Sequence, residues 1–248
     1  MPSTPPVSPS FSPLPSAQEL FGQLETRRQT LTSLRGLARL VYKNPQDKGT
    51  AKQAIAVAAP DRFRWELFSP IGVAALVTSD GQVLSTYFPG EKVLYRGAAT
   101  PENVARFTRV QLSPREVVGL LLGVPVLPST SDSCTVRLDT DRDWHQLHCS
   151  DSAGEKLDLW FEQKTLWLRR VEMSNAAGTL TKRMELADYR TVGKQKFPFE
   201  IVLSDFQNQQ QASILYERVE LNPHPSDAIF TLAAISGVRE INVDSFNP

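Results

Sequence analysis

The chain has 248 residues, of which 41% are apolar and 22% are charged, a composition typical of globular proteins. Lys and Arg together number 27, and so do Asp and Glu, so the formal net charge is zero. This balance gives no electrostatic reason to expect binding of nucleic acid. A run of about 18 apolar residues would be needed for a membrane-spanning helix, and the sequence contains none.

Residues 1–16 contain six Pro and five Ser. Such a segment buries too little apolar surface to offset the entropy of ordering, and Pro-rich chains act as semi-rigid spacers. We interpret residues 1–16 as a disordered tether. It would join the folded domain, residues 17–248, to a lipidated N-terminal Cys that the sequence does not include. A plain disordered tail is the alternative interpretation.

A helix is predicted directly after this segment. Ser16 and Glu19 form a capping box, and apolar residues then recur at helical spacing over about residues 17–32. Residues 34–96 show the alternation of apolar and polar residues that is typical of strands, with short Pro- and Gly-containing turns between them. The first half of the domain is therefore predicted to be one helix followed by antiparallel strands.

Two short helices interrupt the strands. One opens with Pro101 at its first position, and the other opens with a capping box formed by Ser113 and Glu116. Strand patterns return over residues 135–221 at the regular spacing of a sandwich or barrel. The predicted fold is mainly β with some α. It is a large curved antiparallel sheet of about 11 strands, a half-barrel, with helices capping its concave apolar face.

Catalytic and metal-binding patterns do not stand out. The three histidines are His145, His148 and His224. His145 and His148 have odd separation on one predicted strand, so they point to opposite faces and do not easily share a metal. Phosphate-binding loops, nucleophilic serine motifs and zinc-protease motifs are missing. The sequence predicts a protein that is not an enzyme and has no metal site or cofactor.

The tripeptide Pro70-Ile71-Gly72 lies between two predicted strands, where a polar turn is expected. Pro fixes its own φ and Gly permits a tight bend, so the turn would lift Ile71 away from the sheet. Burial of one Ile stabilises by roughly 1.5–3 kcal/mol, so some surface should cover this side chain. Either the helices of the protein cover it, or a membrane or a partner does.

Large apolar residues share the predicted inner face of the sheet. A closed eight-stranded barrel holds only its own side chains or one small ligand, whereas a wider curved sheet leaves room for an apolar cavity. The alternative is that these residues only pack against the helices. The predicted cavity residues are Leu40, Tyr42, Phe63, Trp65, Leu67, Leu84, Phe88, Trp160, Trp167, Met173 and Met184 on the sheet, with Val118 and Leu121 on a helix.

The two cysteines, Cys134 and Cys149, flank a predicted hairpin whose turn is centred between Asp141 and Arg142. In this register they lie directly opposite each other, with Cβ atoms about 4.5–5.5 Å apart. A disulfide needs about 3.5–4.5 Å, and such bonds persist outside the cytosol. The pattern leaves open both a disulfide and a pair of buried thiols.

Two runs resemble one known family. The run DRFRWELFSPIGVAALVT, residues 61–78, is similar to the segment of LolB proteins in which a D-R-[FY]-R strand precedes N-P-L-G and a second apolar strand. The run LSPREVVGLLLGVP, residues 112–125, is similar to the LolB helix that ends in an L-G-[LV]-P turn. The order of elements also agrees. LolA and RseB-type proteins share the fold, but these motifs favour LolB.

The resemblance implies a receptor anchored in the inner leaflet of the outer membrane and facing the periplasm. Such a receptor accepts acylated lipoproteins from a LolA-like carrier and inserts them into that membrane, with acyl chains as its only ligand. The family's P-L-G loop carries a protruding Leu needed for membrane insertion, and Ile71 takes its position. We also expect a monomer, and the balanced charge predicts that it binds no nucleic acid.

The sequence is also compatible with other functions. The same fold serves periplasmic lipoprotein carriers and RseB-like sensors, in which lipid occupancy controls a protein partner. An enzyme acting on a small ligand in the cavity is a third hypothesis, although no acid–base pair supports it. The chain is also longer than typical LolB proteins, and its surplus lies in extra strands and in the tail, residues 222–248.

Overall fold

The computed structural model describes residues 14–108, 111–126 and 134–245. Most of the predicted tether, residues 1–13, lies outside this range. The helices are α1 (Ala17–Thr30), α2 (Pro101–Thr108) and α3 (Pro114–Leu121). The strands are β1 (Ser33–Lys43), β2 (Lys48–Ala58), β3 (Arg62–Ser69), β4 (Gly72–Ser79), β5 (Val83–Phe88), β6 (Val93–Ala98), β7 (Cys134–Asp139), β8 (Trp144–Ser150), β9 (Lys156–Glu162), β10 (Leu168–Ser174), β11 (Leu180–Val192), β12 (Gln195–Asp205), β13 (Gln210–Leu221) and β14 (Arg239–Asn242).

All of these strands belong to one open sheet, in the order β14-β6-β5-β4-β3-β2-β1-β13-β12-β11-β10-β9-β8-β7. Neighbouring strands are antiparallel except β14, which runs parallel to β6. The predicted fold class, a large curved antiparallel sheet with helices, is confirmed. The predicted strand number is too low, since the described residues form a 14-stranded sheet rather than one of about 11.

The capping boxes predicted for two helices are both present. The Ser16 hydroxyl accepts a hydrogen bond from the backbone N–H of Glu19, and the Glu19 carboxylate accepts one from the backbone of Ser16. Ser113 and Glu116 form the same pair of bonds at the start of α3. These bonds satisfy backbone donors that have no partner inside the helix. The sequence therefore determined where both helices begin.

Strand β1 shows how the sheet separates its two faces. Leu34 and Ala38 are buried, whereas Arg35 and Arg39 are exposed, because successive side chains of a strand point to opposite faces. The buried set faces the concave side. There the helices pack against concave residues from the strands that precede α2 and from those that follow α3, and together they form one hydrophobic core.

Helix α3 is the element most deeply inserted into this core. Every residue from Val117 to Leu121 is buried. The buried hydroxyl of Tyr216 on β13 donates a hydrogen bond of 3.0 Å to the carbonyl oxygen of Leu121. Because this carbonyl lies in the last turn of the helix, the bond satisfies an acceptor that the helix cannot satisfy itself. The contact fixes α3 across the middle of the concave face.

The tail beyond β13 crosses the convex face. Phe230 is almost completely buried there against Ala56 and Ala58 of β2. The Arg64 guanidinium donates a hydrogen bond of 3.1 Å to the carbonyl oxygen of Ile229. The chain then forms β14 alongside β6. Strand β2 is thus covered on both faces, and the side chains that it presents to the tail, Ala56 and Ala58, are small and apolar.

The hairpin turns define two rims of the sheet. We call one the upper rim; it carries the turns at residues 44–47, 70–71 and 206–209, and the Cys134–Cys149 pair. The opposite, lower rim carries the turns at residues 80–82 and 193–194 among others. This assignment follows from the antiparallel order of the strands, because consecutive turns alternate between rims.

Candidate functional site

A cavity of about 560 Å³ lies between the upper half of the concave face and the helices. This volume falls in the range of small-molecule binding sites, roughly 300–1,000 Å³. Most of its wall is apolar, with polar groups concentrated near the upper rim. The lining residues are Leu40, Tyr42, Asn44, Gln46, Asp47, Gln53, Trp65, Leu67, Val77, Phe107, Thr108, Leu112, Val117, Leu120, Leu203, Gln210, Ala212 and Ile214.

Tyr42 forms part of the wall beside the upper rim. Its ring lies across Gly49, the residue directly opposite on β2, so that an added Cβ at Gly49 would lie 2.6 Å from the ring. Only glycine permits this close approach. The Tyr42 hydroxyl donates a hydrogen bond of 2.9 Å to the Asp47 carboxylate. The turn after β1 is thereby held next to the cavity.

Four of the predicted cavity residues line this cavity: Leu40, Tyr42, Trp65 and Leu67. Met173 and Met184 line a smaller adjoining space of about 50 Å³. The two spaces share three walls, Leu112, Leu120 and Leu203. The structure therefore brings six predicted residues to two adjoining apolar spaces under α3.

Other predicted cavity residues lie in solid core. Phe63, Leu84, Val118 and Leu121 are buried and line neither of these two spaces. Phe88 is half-buried and packs its ring 6.4 Å from that of Phe107, which does line the cavity. These residues support the wall from behind and do not form its surface.

Trp160 and Trp167 lie away from the cavity. Trp160 alternates with Leu159 and Phe161, which belong to the concave core, so it faces the convex side, where the Arg170 guanidinium lies 5.8 Å from its ring. Trp167 lies on the lower rim and stacks on Tyr189 with ring centroids 5.1 Å apart. Trp160 differs from the prediction because its apolar neighbours left the strand phase ambiguous. Trp167 differs because it precedes β10 and lies in the turn between β9 and β10, where the alternation of a strand does not apply.

Sequence reasoning missed several lining residues. Val117 and Leu120 line the cavity, whereas the predicted Val118 and Leu121 point into solid core. Helix α3 is apolar on nearly every side, so no polar face indicated its orientation. Phe107 on α2 was missed as well. It lies three and four residues after Val104 and Asn103, the buried residues of that helix, and this spacing places it on the same face.

The polar atoms in the wall that have no hydrogen-bond partner among the described residues belong to Gln53, Trp65 and Gln210. Two of these groups are the amide of Gln53, which is 1% exposed, and the indole N–H of Trp65. Both lie on the concave face, on the adjacent strands β2 and β3. A buried polar group without a partner is uncommon in proteins and calls for an explanation.

Pro70, Ile71 and Gly72 form the tip of the β3–β4 hairpin on the upper rim. Ile71 is 98% exposed. Gly72 has φ +129, a conformation that other residues rarely adopt, and the Ser69 hydroxyl donates a hydrogen bond of 3.1 Å to the Gly72 carbonyl oxygen. The tripeptide thus projects Ile71 away from the sheet, and no helix or strand of the described residues covers it.

Apolar and basic side chains surround this tip on the convex face. Phe68 and Val73 lie opposite each other at the base of the tip, and each is 37% exposed. Lys52 lies beside Phe68 on β2, and Lys43 and Lys48 lie opposite each other at the end of the neighbouring hairpin. Like charges directly opposite each other destabilise a sheet, so sheet stability does not account for this lysine pair.

Cys134 and Cys149 lie opposite each other in the register of β7 and β8, as the hairpin turn predicts. The structure joins them in a disulfide with a Cα–Cα distance of 4.2 Å. This bond ties the first residue of the outermost strand to its neighbour. It lies on the upper rim, across the sheet from the β3–β4 tip.

The histidines do not converge. Burial lowers the pKa of the His145 imidazole, and the backbone of Gln163 and the charge of Asp143 oppose this effect. His148 lies on the other face, with its Nδ1 2.8 Å from the Asp158 carboxylate. Within the described ranges, no three His, Cys, Asp or Glu side chains form a group that could hold a metal ion. The helices of the same ranges include none that is long and apolar enough to span a membrane.

Comparison with known proteins relates this fold to others. A family model described as "Uncharacterized protein" matches residues 148–236. Among curated proteins, none matches the sequence. Solved structures do match. A DUF1329 family protein from Desulfovibrio piger has a TM-score of 0.60 at 14% identity, over 86% of this chain and 95% of its own.

Two further structures match over similar lengths. A candidate outer membrane lipoprotein-sorting protein domain from Vibrio parahaemolyticus has a TM-score of 0.58 at 12% identity, over 86% of this chain and 94% of its own. A LolA superfamily protein from Nitrosomonas europaea has a TM-score of 0.56 at 15% identity, over 87% of this chain and 97% of its own. At these identities the likeness concerns the fold alone. The chain therefore has the fold of the LolA superfamily and of lipoprotein-sorting domains.

Proposed function

We propose that this protein binds the acyl chains of lipoproteins in its cavity and delivers them to a membrane. It would act as a receptor of the LolB type at the periplasmic side of the outer membrane, supplied by a LolA-like carrier. One observation carries the proposal: Ile71 is exposed at the tip of the same hairpin whose Leu67 lines the cavity. A binding site and a membrane-contacting tip thus share one element.

The energetics of lipid anchors explain why such a cavity is needed. Each buried CH₂ stabilises by about 0.8 kcal/mol, so several acyl chains together do not cross water unshielded. An apolar cavity that opens towards a membrane lowers this barrier without breaking any bond. The apolar cavity under α3, with Leu40, Leu67 and Leu203 in its wall, would provide such a shield.

The upper rim has the composition of a membrane-contacting surface. Ile71, Phe68 and Val73 supply apolar side chains that can enter the acyl region of a bilayer. Lys43 and Lys48 lie beside them on the same face, and basic residues near a bilayer surface are attracted to anionic lipids. An apolar tip flanked by cations is typical of proteins that lie on a membrane without spanning it.

The proposed compartment agrees with the Cys134–Cys149 bond, because disulfides form and persist in oxidising compartments such as the bacterial periplasm. The fold shared with lipoprotein-sorting domains supports the proposed ligand class. The resemblance of residues 61–78 and 112–125 to LolB supports the role of a receptor over that of a soluble carrier or a sensor.

The experiment that tests the proposal uses Ile71→Glu. The protein is loaded with an acylated lipoprotein and mixed with phospholipid vesicles, and transfer is measured by vesicle flotation. We expect loading to be retained and transfer to fall about tenfold or more, because one buried Ile contributes roughly 1.5–3 kcal/mol to membrane contact. Val83→Glu is the control, since Val83 is also exposed but begins β5 at the lower rim.

Each outcome has a distinct meaning. If Ile71→Glu still binds the acylated lipoprotein but no longer transfers it to vesicles, the result supports the role of a receptor. Unchanged transfer by Ile71→Glu would contradict membrane insertion through the tip and favour a carrier or a sensor that holds lipid without inserting it. Failure of the unsubstituted protein to load any acylated lipoprotein would contradict the ligand class itself.

A further inference from the structure

The cavity wall contains polar atoms whose hydrogen-bonding capacity is unused among the described residues. They are both amide atoms of Gln53, the indole nitrogen of Trp65 and the amide oxygen of Gln210. All three residues line the cavity. Gln53 is the most deeply placed, being 1% exposed, and it is surrounded by the core that contains Ala38 and Ile55.

Folding energetics do not account for Gln53 at this position. A buried polar group without a hydrogen bond destabilises a protein, whereas an apolar residue of similar shape would not. Both neighbours directly opposite Gln53, Ala38 on β1 and Leu67 on β3, are apolar and offer no side-chain partner. The amide therefore fits a role in binding a ligand better than a role in the fold.

The register places Gln53 and Trp65 close together on the concave face. Trp65 lies opposite Ile55, and Gln53 lies opposite Leu67, so the two polar residues are diagonal neighbours on one face. Diagonal neighbours are about 7–8 Å apart, a separation that two long side chains can bridge through a shared partner. The Gln53 amide and the Trp65 indole each contribute N–H donors, and a carbonyl oxygen has two lone pairs to accept them.

We propose that Gln53 and Trp65 bind the carbonyl oxygen of the acyl linkage, whether ester or amide, of a lipid held in the cavity. This inference rests on the proposed function and specifies the ligand group that the cavity recognises. The Gln53 amide oxygen is an acceptor as well, so it can also bind the N–H of an N-acyl chain. The acyl chain would occupy the apolar cavity under α3. The hydrogen bonds to its linkage would set how far the acyl chain enters.

A matched set of lipids tests this inference. Palmitoyl lysophosphatidylcholine carries its chain through an ester, which contains a carbonyl. Hexadecyl lysophosphatidylcholine has the same headgroup and chain length, but an ether without a carbonyl replaces the ester. A third lipid carries an amide at the same position. Affinities are measured on the full chain by competition with a fluorescent fatty acid. We expect the ester to bind about tenfold more tightly than the ether, the effect of two neutral hydrogen bonds.

Variants then assign the preference to residues. Gln53→Leu and Trp65→Phe remove the donors with little change in volume, and each should reduce the preference for ester over ether to about threefold or less. Leu84→Met is the control in the core outside the cavity and should keep the full preference. An amide that binds more tightly than the ester, with this gain lost in Gln53→Leu, identifies the N-acyl chain as the ligand.

The outcomes separate this inference from the proposed function. Equal binding of ester and ether would overturn the inference while leaving the lipid-binding cavity in place. It would mean that water satisfies Gln53 and Trp65. Failure of every lipid to bind would overturn the proposed function and this inference together. A preference that survives in both Gln53→Leu and Trp65→Phe would assign the carbonyl to other groups and would also overturn the inference.

Discussion

Leu67 and Ile71 lie on one hairpin, the first in the wall of the cavity and the second almost fully exposed at the tip. The β3–β4 ladder shifts its register between Leu67 and Phe68. Below this irregularity Leu67 faces the concave side, and above it Phe68 and Val73 flank the tip on the convex side. The hairpin therefore joins the wall of the cavity directly to the upper rim.

Removal of the rim charges should weaken binding to anionic membranes. The triple variant Lys43→Gln, Lys48→Gln, Lys52→Gln should lose about fivefold in affinity per lysine for vesicles that contain anionic phospholipid. It should bind neutral vesicles as the unsubstituted protein does. Co-sedimentation at low and high salt measures this difference, because salt screens the attraction of exposed charges.

Lys164 and Lys194 provide the control for these charges, since both lie in turns of the lower rim. The double variant Lys164→Gln, Lys194→Gln should bind anionic vesicles normally. Equal losses in the two variants would indicate a non-specific effect of net charge and would contradict a directed membrane surface.

The Cys134–Cys149 bond should stabilise the outer part of the sheet. The cysteines are separated by 15 residues in sequence, and closing a loop of this length stabilises a protein by about 3 kcal/mol. We expect reductant to lower the free energy of unfolding by about this amount, as measured by urea denaturation. Cys134→Ser, Cys149→Ser should show the same loss and no response to reductant. A reductant effect that persists in this variant would contradict the assignment.

The core behind the cavity should be more sensitive to truncation than the cavity wall. Leu121 is fully buried, so Leu121→Ala should lower the free energy of unfolding by about 2–5 kcal/mol. Leu67 is half-buried and borders the cavity, so Leu67→Ala should cost only about 1–2 kcal/mol. It should reduce lipid affinity more than Leu121→Ala does at temperatures where both variants are folded. A larger loss in the free energy of unfolding for Leu67→Ala than for Leu121→Ala would contradict the assigned cavity.

Acid should destabilise the protein through His145. Burial lowers the pKa of this imidazole in the folded state, whereas the unfolded chain takes up the proton near pH 6.5. The neutral side chain therefore contributes its full stability above about pH 6.5, and this contribution is lost as the pH falls towards the lowered pKa. His145→Gln should flatten the profile of the free energy of unfolding between pH 7 and 5. An unaltered slope in His145→Gln would contradict this assignment.

Local patterns predicted most of the sheet. The capping boxes at Ser16 and Ser113 and the hairpin register of Cys134 and Cys149 all depend on residues close in sequence, and all are present in the structure. Turn chemistry and alternation sufficed for these features because the interactions involved are short-range. The exposed tip at Ile71 was likewise one of two alternatives that the Pro–Gly turn indicated.

Features that depend on distant contacts were not predictable. Strand β14 is only four residues long and pairs with β6, which lies far away in sequence. No local pattern therefore predicted it. Trp160 lies in the apolar run Leu159–Phe161, where alternation does not distinguish the two faces. Gln53 reads as an ordinary polar strand residue, and only the packed structure shows that it is buried in an apolar wall.

An open sheet ends in two outer strands, whose free backbone groups can serve as templates for strand-by-strand polymerisation. Here the tail supplies the parallel strand β14 as one outer strand, and it offers only four residues. The other outer strand, β7, has six residues and is fastened to its neighbour by a covalent bond. The sheet can thus remain open while limiting the contacts through which copies of the protein would aggregate.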